Sequence, residues 1–175
     1  MKEDVSLKTT LFTEFSDENI ARGAQILKNG GLLGIPTETV YGLGANALDA
    51  DACRRIYEAK GRPQDNPLII HVPDSSWLPR YCREVPESAY RLAEKFWPGP
   101  LTMILPKREI VPARTTGGLD TVGVRCPNHP VTLALIRAAD VPVAAPSGNT
   151  SGRPSPTTAR HVLEDMDGRI PLILD

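Results

Sequence analysis

The sequence predicts an α/β sandwich whose sheet is at least partly parallel. Short apolar runs alternate with stretches of helical period along the whole chain, which is typical of strands interleaved with helices. Most of the 17 prolines and 14 glycines fall at the joints between these stretches. At 175 residues the chain is long enough for one domain with a sizeable core and too short for two, so a single domain over residues 1–175 is expected.

The first predicted elements are a helix and a buried strand. Ser16 or Asp17 can cap the helix, and Gly30-Gly31 ends it. A strand over residues 32–35 follows, because this stretch is short and apolar. The apolar residues that recur at helical spacing between the two helix ends are Ile20, Ala24 and Leu27.

Two further helices and a strand are predicted in the middle of the chain. Asp49 can cap a second helix that stops at Gly61, and the β-branched run Leu68–Val72 reads as a strand. A third helix starts at Pro86 and ends at Pro98. Its apolar face is expected to hold Ala89, Leu92 and Phe96.

The last third of the chain repeats the alternation of strands and helices. Apolar, β-branched runs indicate the strands, and apolar positions at helical spacing indicate the helices. Strands are expected over Leu101–Leu105, Thr121–Arg125, Val141–Ala145 and Pro171–Leu174, and helices over Val131–Ala139 and Thr157–Asp165.

Composition excludes several classes of protein. The formal net charge of −1 does not indicate a surface that binds nucleic acid or an anionic membrane. No apolar run approaches the ~18 residues that span a bilayer. Cys53, Cys82 and Cys126 are odd in number and widely spaced, which indicates reduced thiols in a cytoplasmic protein. The N-terminal sequence MKEDVSLKTTLF has no long apolar stretch, so no signal peptide is expected.

A first polar segment, Pro36–Gly44 (PTETVYGLG), follows a predicted buried strand directly. Its threonine hydroxyls, carboxylate and glycines can bind a small polar ligand, although a capped turn explains them equally well. Residues 42–47 also match the dinucleotide pattern G-x-G-x-x-A. That match is interpreted as accidental, because a polar loop precedes the glycines and the next helix cap is only at Asp49.

Two more segments could bind an anion. Lys60 and Arg62 lie on a glycine–proline loop and can converge on one phosphate, although cations that complement a helix dipole are the more ordinary explanation. Residues 144–155 combine small residues, hydroxyls, an amide and a guanidinium that suit polyphosphate, with a flexible Ser/Gly loop as the alternative. The preceding strand is expected to deliver this loop to the same sheet edge as the other segments, and Ser155 or Thr157 to cap the next helix.

The cations favour an anionic substrate when they are taken together. Lys60, Arg62, Arg125 and Arg153 all lie at predicted element ends, whereas each alone would more often be a surface charge. The chain has no P-loop, no H-E-x-x-H zinc motif and no G-x-S-x-G nucleophile elbow. These observations indicate a reaction that depends on positioning and charge neutralisation.

Five motifs in order resemble the YrdC family of threonylcarbamoyl-AMP synthases. They are P-T-E-T-V-Y-G-L-G, K-x-R followed by N-P-L, P-G-P-L-T, T-V-G-V-R-x-P and P-S-x-N. The likeness runs from about Phe12 to Asp175. It implies a twisted open mixed sheet with flanking helices around a concave, positively lined cavity.

The resemblance also implies the reaction and the partners. L-Threonine and bicarbonate form N-carboxythreonine, which attacks the α-phosphorus of ATP and expels pyrophosphate. Mg²⁺ is expected to arrive with ATP, since the sequence shows no dedicated metal cage. The product would pass to a complex that modifies tRNA, with contact to tRNA or other RNA as a further expectation.

The family's functional residues map onto matching positions of this sequence. Thr39, His71, Arg125 and the backbone near Ala145 match positions around threonine. The K-x-R and S-x-N motifs supply the expected catalytic set Lys60, Arg62, Ser147 and Asn149. The positions matched around ATP are Lys60, Arg62, Asn66, Thr121, Ser147 and Ser155.

The chain departs from the family pattern at its C-terminal end, so other functions are also considered. Family members usually continue with a glycine-rich turn, an E-S-T-V segment and a later arginine, which this chain, ending at Asp175, does not include. The alternative is a non-catalytic module that binds RNA or nucleotide, although the low aromatic content of 5% offers no stacking platform. The third hypothesis is a carbamoyl-transfer enzyme related to hydrogenase-maturation proteins. Such an enzyme is expected to carry accessory domains, for which this chain is too short.

Overall fold

The computed structural model describes residues 7–175 and contains a mixed sheet with helices on both sides. Residues 1–6, on which the expectation about a signal peptide partly rests, lie outside the described part. The strands are β1 (Thr10–Phe12), β2 (Leu33–Ile35), β3 (Gly42–Asn46), β4 (Ile69–His71), β5 (Thr102–Pro106), β6 (Thr121–Arg125), β7 (Val143–Ala144) and β8 (Leu172–Leu174). The helices are α1 (Asp17–Lys28), α2 (Ala50–Lys60), α3 (Leu78–Tyr81), α4 (Glu87–Phe96), α5 (Pro130–Ala139) and α6 (Ala159–Met166).

The strands form one sheet in the order β1-β8-β2-β3-β7-β4-β6-β5. β8 runs parallel to both β1 and β2, and β4 runs parallel to β6. The remaining neighbours are antiparallel. The predicted α/β fold with a partly parallel sheet is therefore confirmed.

The predicted caps of the first two helices are confirmed, and that of the last helix is wrong. The Ser16 side chain accepts a hydrogen bond from the Asn19 amide, and Asp49 accepts from two amides at the start of α2. α6 is capped by Thr158, whose hydroxyl accepts from the His161 amide at 3.3 Å, and neither Ser155 nor Thr157 takes this position. Thr157 Oγ1 instead lies 3.4 Å from His161 Nδ1, so its hydroxyl faces the histidine ring.

Strand β3 is the main element that the sequence analysis missed. Its residues, Gly42–Asn46, are mostly glycine and alanine, which lack the β-branched signature of a strand. Small residues fit here because β3 is enclosed between β2 and β7: a Cβ on Gly44 would lie 3.2 Å from Val143 Cγ1. The match of residues 42–47 to a dinucleotide fingerprint is indeed accidental, since these glycines lie in a strand and not in a βα turn.

The predicted apolar face of α4 is confirmed for Ala89 and wrong for Leu92 and Phe96. Ala89 and Ala93 are buried, whereas Leu92 is 42% exposed and Phe96 is 47% exposed. The helix therefore packs through small residues spaced four apart, which allow close approach, and turns two of its larger apolar side chains outward.

The core lies on the two faces of the sheet. One cluster joins α1 and α5 to Leu33, Leu172 and Leu174, and the larger cluster includes Ile173, whose side chain points to the opposite face of β8. Leu27 and Leu135 are fully buried where α1 meets α5. No helix within residues 7–175 is long and apolar enough to cross a membrane.

Leucine-to-alanine substitutions should separate a buried leucine from an exposed one. Leu27→Ala removes a fully buried side chain from the contact between α1 and α5, so it should lower the free energy of unfolding by about 3 kcal/mol. Leu92→Ala is the matched control on α4 and should cost less than about 1 kcal/mol. Urea unfolding followed by circular dichroism would measure both, and equal losses would contradict the assignment of the α4 face.

Candidate active site

Strand direction places the predicted site residues at two edges of the sheet. β4 and β6 are parallel and in register, so His71 and Arg125 lie side by side where these strands end. β7 runs antiparallel to β4, so the loop after β7 leaves beside the beginning of β4. The three polar segments therefore meet at one edge, as predicted, because β2 and β7 run in the same direction and the segment over residues 60–68 leads into the beginning of β4. His71 and Arg125 lie at the other edge, because a run of apolar residues does not reveal the direction of its strand.

The first group of residues is here named the cationic lobe: Lys60, Arg62, Asn66, Ser147 and Asn149. They line a cavity of about 360 Å³ together with Pro63, Ser151 and Gly152. Two cations and several hydrogen-bonding groups thus face one space, which suits a polyanionic ligand.

Lys60 holds the cationic lobe together. It is the last residue of α2, is only 2% exposed, and donates hydrogen bonds from Nζ to the carbonyl oxygens of Ser147 and Asn149. The Ser151 amide donates back to the Lys60 carbonyl at 2.8 Å. The ammonium therefore bonds to the loop after β7, which a cation serving only its own helix dipole would not do.

The pKa of Lys60 is lowered to about 8. Burial is the main cause, and the neighbouring Arg62 charge lowers the pKa further, while Asp165 opposes the change. Two of the three ammonium protons are used by the carbonyls, which leaves one for a ligand in the cavity.

Two buried polar atoms of the cationic lobe have no hydrogen-bond partner within residues 7–175. They are Arg62 Nε, a donor, and Asn149 Oδ1, an acceptor. The amide nitrogen of Asn149 is already used, since it donates to the carbonyls of Thr150 and Arg153 at 2.9 Å each. An unpaired buried donor and acceptor cost free energy, which a bound ligand with complementary groups would recover.

The second group is here named the arginine lobe: Glu38, Thr39, His71 and Arg125. Arg125 Nη2 lies 2.6 Å from Glu38 Oε1 and donates to Thr39 Oγ1 at 3.2 Å. Glu38 Oε2 accepts a hydrogen bond from the Asn128 amide at 3.0 Å. The lobe therefore joins the loop after β2 to the end of β6, across three intervening strands.

Glu38 and His71, the two titratable neighbours of Arg125, each keep one charge state near neutral pH. Burial alone would raise the pKa of Glu38, but the Arg125 guanidinium and backbone amides hold it below its ordinary value. Burial, together with the Arg125 charge, lowers the pKa of His71 to about 4. His71 is therefore neutral, and its Nδ1 lies 3.1 Å from the Val143 carbonyl oxygen.

The loop Pro36–Tyr41 and the start of the loop after β7 connect the lobes. The Tyr41 carbonyl accepts from the Gly148 amide at 2.8 Å, and the Ala145 amide donates to the Ile69 carbonyl at 3.2 Å. Ile69 and His71 are two residues apart on β4, a separation of roughly 7 Å. Ala145 thus lies along the chain just before the cationic lobe and beside β4, the strand that ends at His71.

A tight turn over residues 97–101 holds the Nε side of the Arg125 guanidinium. The Trp97 indole donates from Nε1 to the Leu101 carbonyl at 2.8 Å and closes the turn. Inside it, the Gly99 carbonyl accepts from Arg125 Nε at 3.3 Å, and the Gly99 amide donates to the Cys126 carbonyl at 2.8 Å.

Three of the predicted residues lie apart from these groups. Thr121 begins β6 and Arg125 ends it, so they are roughly 13 Å apart. Ser155 lines a neighbouring cavity of about 370 Å³, beside Arg153. Arg153 is paired with Asp165, whose other oxygen accepts from the Thr150 amide at 2.9 Å.

Two carboxylate contacts could not be predicted from the sequence. The sequence predicts a ligand-binding carboxylate at Glu38 but not its pairing with Arg125, because Arg125 lies 87 residues further along the chain. Asp165 anchors the loop after β7 from a helix in which no local pattern distinguishes it. Within residues 7–175, no group of three or more His, Cys, Asp or Glu side chains could hold a metal ion.

Comparisons with known proteins add three findings. Residues 25–175 match the model of the Sua5–YciO–YrdC family, described as "Telomere recombination". A threonylcarbamoyl-AMP synthase of Pyrococcus abyssi is 58% identical over 152 residues, and one of Bacillus subtilis is 54% identical over 161 residues. Among solved structures, Pyrococcus abyssi Sua5 in complex with L-threonine has a TM-score of 0.93 and 53% sequence identity.

The matched relatives are considerably longer than this chain. The Pyrococcus abyssi match covers 87% of this chain and 45% of that protein, and the Bacillus subtilis match covers 91% and 46%. The Sua5 structure is matched over 95% of this chain and 50% of its own. The chain therefore spans about half the length of the curated relatives it matches.

Replacing the buried lysine should loosen the loop after β7. Lys60→Met keeps the length of the side chain but leaves the carbonyls of Ser147 and Asn149 without their donor. The amides of Gly148 and Ser151 should then exchange with solvent at least about tenfold faster, in native-state hydrogen exchange. Lys107→Met is the matched control, since Lys107 Nζ also donates to a backbone carbonyl, that of Val111 at 2.9 Å. Unchanged exchange in Lys60→Met would contradict the role assigned to the ammonium.

Proposed function

The chain belongs to the Sua5–YciO–YrdC family, and on this basis we propose that it forms L-threonylcarbamoyl-AMP and pyrophosphate from L-threonine, bicarbonate and ATP. The observation that carries the proposal is the pairing of two lobes. One has two cations at a cavity, which suits polyphosphate, and the other has a held guanidinium, which suits a carboxylate. A synthase that joins an amino-acid carbamate to a nucleotide needs this arrangement of sites.

ATP is proposed to place its phosphates in the cationic lobe. Lys60 and Arg62 would offset their charge, and the unpaired Arg62 Nε offers a donor that the protein itself does not use. Asn149 Oδ1 is the matching free acceptor, suited to a hydroxyl or a metal-bound water of the nucleotide. The residues proposed to complete the ATP site are Asn66, Ser147, Ser155 and Thr121.

L-Threonine is proposed to bind in the arginine lobe. Arg125 would bind its carboxylate through the edge of the guanidinium that Glu38 leaves free. Thr39 and the backbone near Ala145 would bind the polar groups of the amino acid. His71, being neutral, would make a hydrogen bond without repelling the ammonium or the carbamate that forms from it.

The chemistry proposed is an in-line attack on the α-phosphorus. The carbamate oxygen of N-carboxythreonine forms the new P–O bond, and the bond to pyrophosphate breaks. The protein contributes positioning and charge: Arg125 fixes the nucleophile, while Lys60 and Arg62 stabilise the charge that accumulates on the phosphates.

Mg²⁺ is proposed to enter as part of the MgATP substrate. Two acidic side chains at the lobes are already bound, Glu38 to Arg125 and Asp165 to Arg153. Neither is free to serve in a protein cage for a hard cation, which takes several oxygen ligands.

The proposal extends to location and to the fate of the product. Cys53, Cys82 and Cys126 are each buried as free thiols, which favours a reducing compartment such as the cytoplasm. The product is a mixed anhydride of an acid and a phosphate, so it would be passed to a complex that transfers the threonylcarbamoyl group to tRNA.

Pyrophosphate release is the direct test of the function. Release should require ATP, L-threonine and bicarbonate together, and release from ATP alone would contradict the proposal. Arg62→Ala should lower kcat/KM for ATP about a hundredfold, because it removes a charged group at the phosphates. Arg54→Ala is the control, since Arg54 lies on the exposed side of α2 and pairs with Glu58, and it should leave the rate unchanged.

The pH dependence should follow the ionisation of Lys60. Only the protonated form carries the charge that attracts phosphate, so kcat/KM for ATP should fall about tenfold per pH unit above pH 8, the approximate pKa of this lysine in the free protein. The assay would run from pH 7 to about 9.5 with L-threonine and bicarbonate saturating, a range set by the ordinary pKa values of amines.

An arginine at the same position separates Lys60 from other titrating groups. Lys60→Arg keeps its charge throughout this range, so the decline above pH 8 should disappear even where the absolute rate is lower. A decline that persists at the same pH in Lys60→Arg would assign it to another group.

A further inference from the structure

Glu38 is the one ionised group of the arginine lobe to which neither the reaction nor the substrates assign a role. Its carboxylate is bound on both oxygens, by Arg125 Nη2 at 2.6 Å and by the Asn128 amide at 3.0 Å. Both side chains are mostly buried, with 20% of Glu38 and 13% of Arg125 exposed. An ion pair sheltered in this way is screened far less than one at the surface.

The hydrogen bonds of Arg125 show which edge of the guanidinium remains available. Nε donates to the Gly99 carbonyl, and Nη2 donates to both Glu38 and Thr39. No hydrogen bond reaches Nη1 within residues 7–175. Because a guanidinium is planar, fixing Nε and Nη2 also fixes the direction in which the Nη1 protons point.

The loop that presents Glu38 is itself stiff. Thr37 Oγ1 donates to the Val40 carbonyl at 2.6 Å and accepts from the amides of Thr39 and Val40 at 3.2 Å each. At the base of the loop, the buried Thr132 hydroxyl of α5 donates to the Pro36 carbonyl. The Glu38 carboxylate is therefore held in place from its own backbone as well as from Asn128.

We propose that Glu38 is a positioning residue, which orients the Arg125 guanidinium so that Nη1 faces the carboxylate of the amino-acid substrate. The inference rests on the proposed function in taking that carboxylate to be the one of L-threonine. Glu38 acts through Arg125, and its own oxygens are occupied by protein donors.

The contact between Glu38 and Arg125 could either strengthen or weaken binding of the substrate carboxylate. The direction in which affinity changes when Glu38 loses its charge therefore tests the proposal. A carboxylate that merely occupied the arginine would compete with the substrate carboxylate, and removing its charge would tighten binding. A carboxylate that orients the arginine does the reverse, because its loss frees the guanidinium to adopt other rotamers.

Glu38→Gln is the substitution that distinguishes the two, since it keeps the size of the side chain and removes the charge. L-Threonine binding, measured by isothermal titration calorimetry, should weaken about tenfold on loss of the charge-assisted hydrogen bond. ATP binding, which depends on the cationic lobe, should be unchanged and reports that the variant is folded. Glu58→Gln is the matched control, since Glu58 also pairs with an arginine, Arg54, but on the outer surface of α2.

A second measurement decides the question without any substrate. The Nε–H resonance of Arg125, observed by ¹H–¹⁵N NMR, should shift or broaden in Glu38→Gln and stay in place in Glu58→Gln. An unchanged Arg125 resonance, or tighter L-threonine binding in Glu38→Gln, would overturn the positioning role. If the unsubstituted chain binds no L-threonine at all, the proposed function fails, and the Arg125 resonance still decides what Glu38 does.

Discussion

A buried ammonium bound by backbone carbonyls is the interaction on which the cationic lobe depends. Moving a lysine charge out of water costs several kcal/mol unless hydrogen bonds replace its hydration. Lys60 meets this requirement with the carbonyls of Ser147 and Asn149, which fixes the loop after β7 against the end of α2. The short turn after α2 then sets Arg62 beside the same cavity. The loop and the helix end are thus organised by one side chain that can also reach a ligand.

The direction of β7 divides the site into two parts. Since β4 and β6 end together, they bring His71 and Arg125 to one place, while the antiparallel β7 releases its loop at the other end of β4. The loop Pro36–Tyr41 connects the two lobes. Its Tyr41 carbonyl accepts from the Gly148 amide, and its Glu38 carboxylate accepts from Arg125. The two lobes therefore lie at different ends of β4 and are connected by this loop.

The sequence predicted most of the fold and the segments of the candidate site, for reasons that are local. Helix caps such as Ser16 and Asp49 act within one turn, and the polar segments at 36–44, 60–68 and 144–155 stand out from apolar neighbours. What it missed depends on distant parts of the chain. β3 is built of small residues because its neighbours press close, and Glu38 gains its importance from Arg125 on a strand far along the chain. An apolar run does not reveal the direction of its strand, so the placement of His71 and Arg125 at the other sheet edge could not be predicted. The exposed face of α4 depends on which side of the helix packs against the rest of the protein, which its own sequence does not reveal.

The turn that closes behind Arg125 has a practical consequence. In this turn the Trp97 indole donates to the Leu101 carbonyl, and the Gly99 carbonyl accepts from the Arg125 guanidinium. The only other tryptophan, Trp77, lies beneath Arg80, whose guanidinium carbon is 4.0 Å from the ring centroid. With Trp77 replaced by phenylalanine, Trp97 would be the single strong fluorophore of the protein, two residues from a backbone group that touches the arginine. Emission from Trp97 in this variant would then report on the packing around Arg125, in unlabelled protein and in real time.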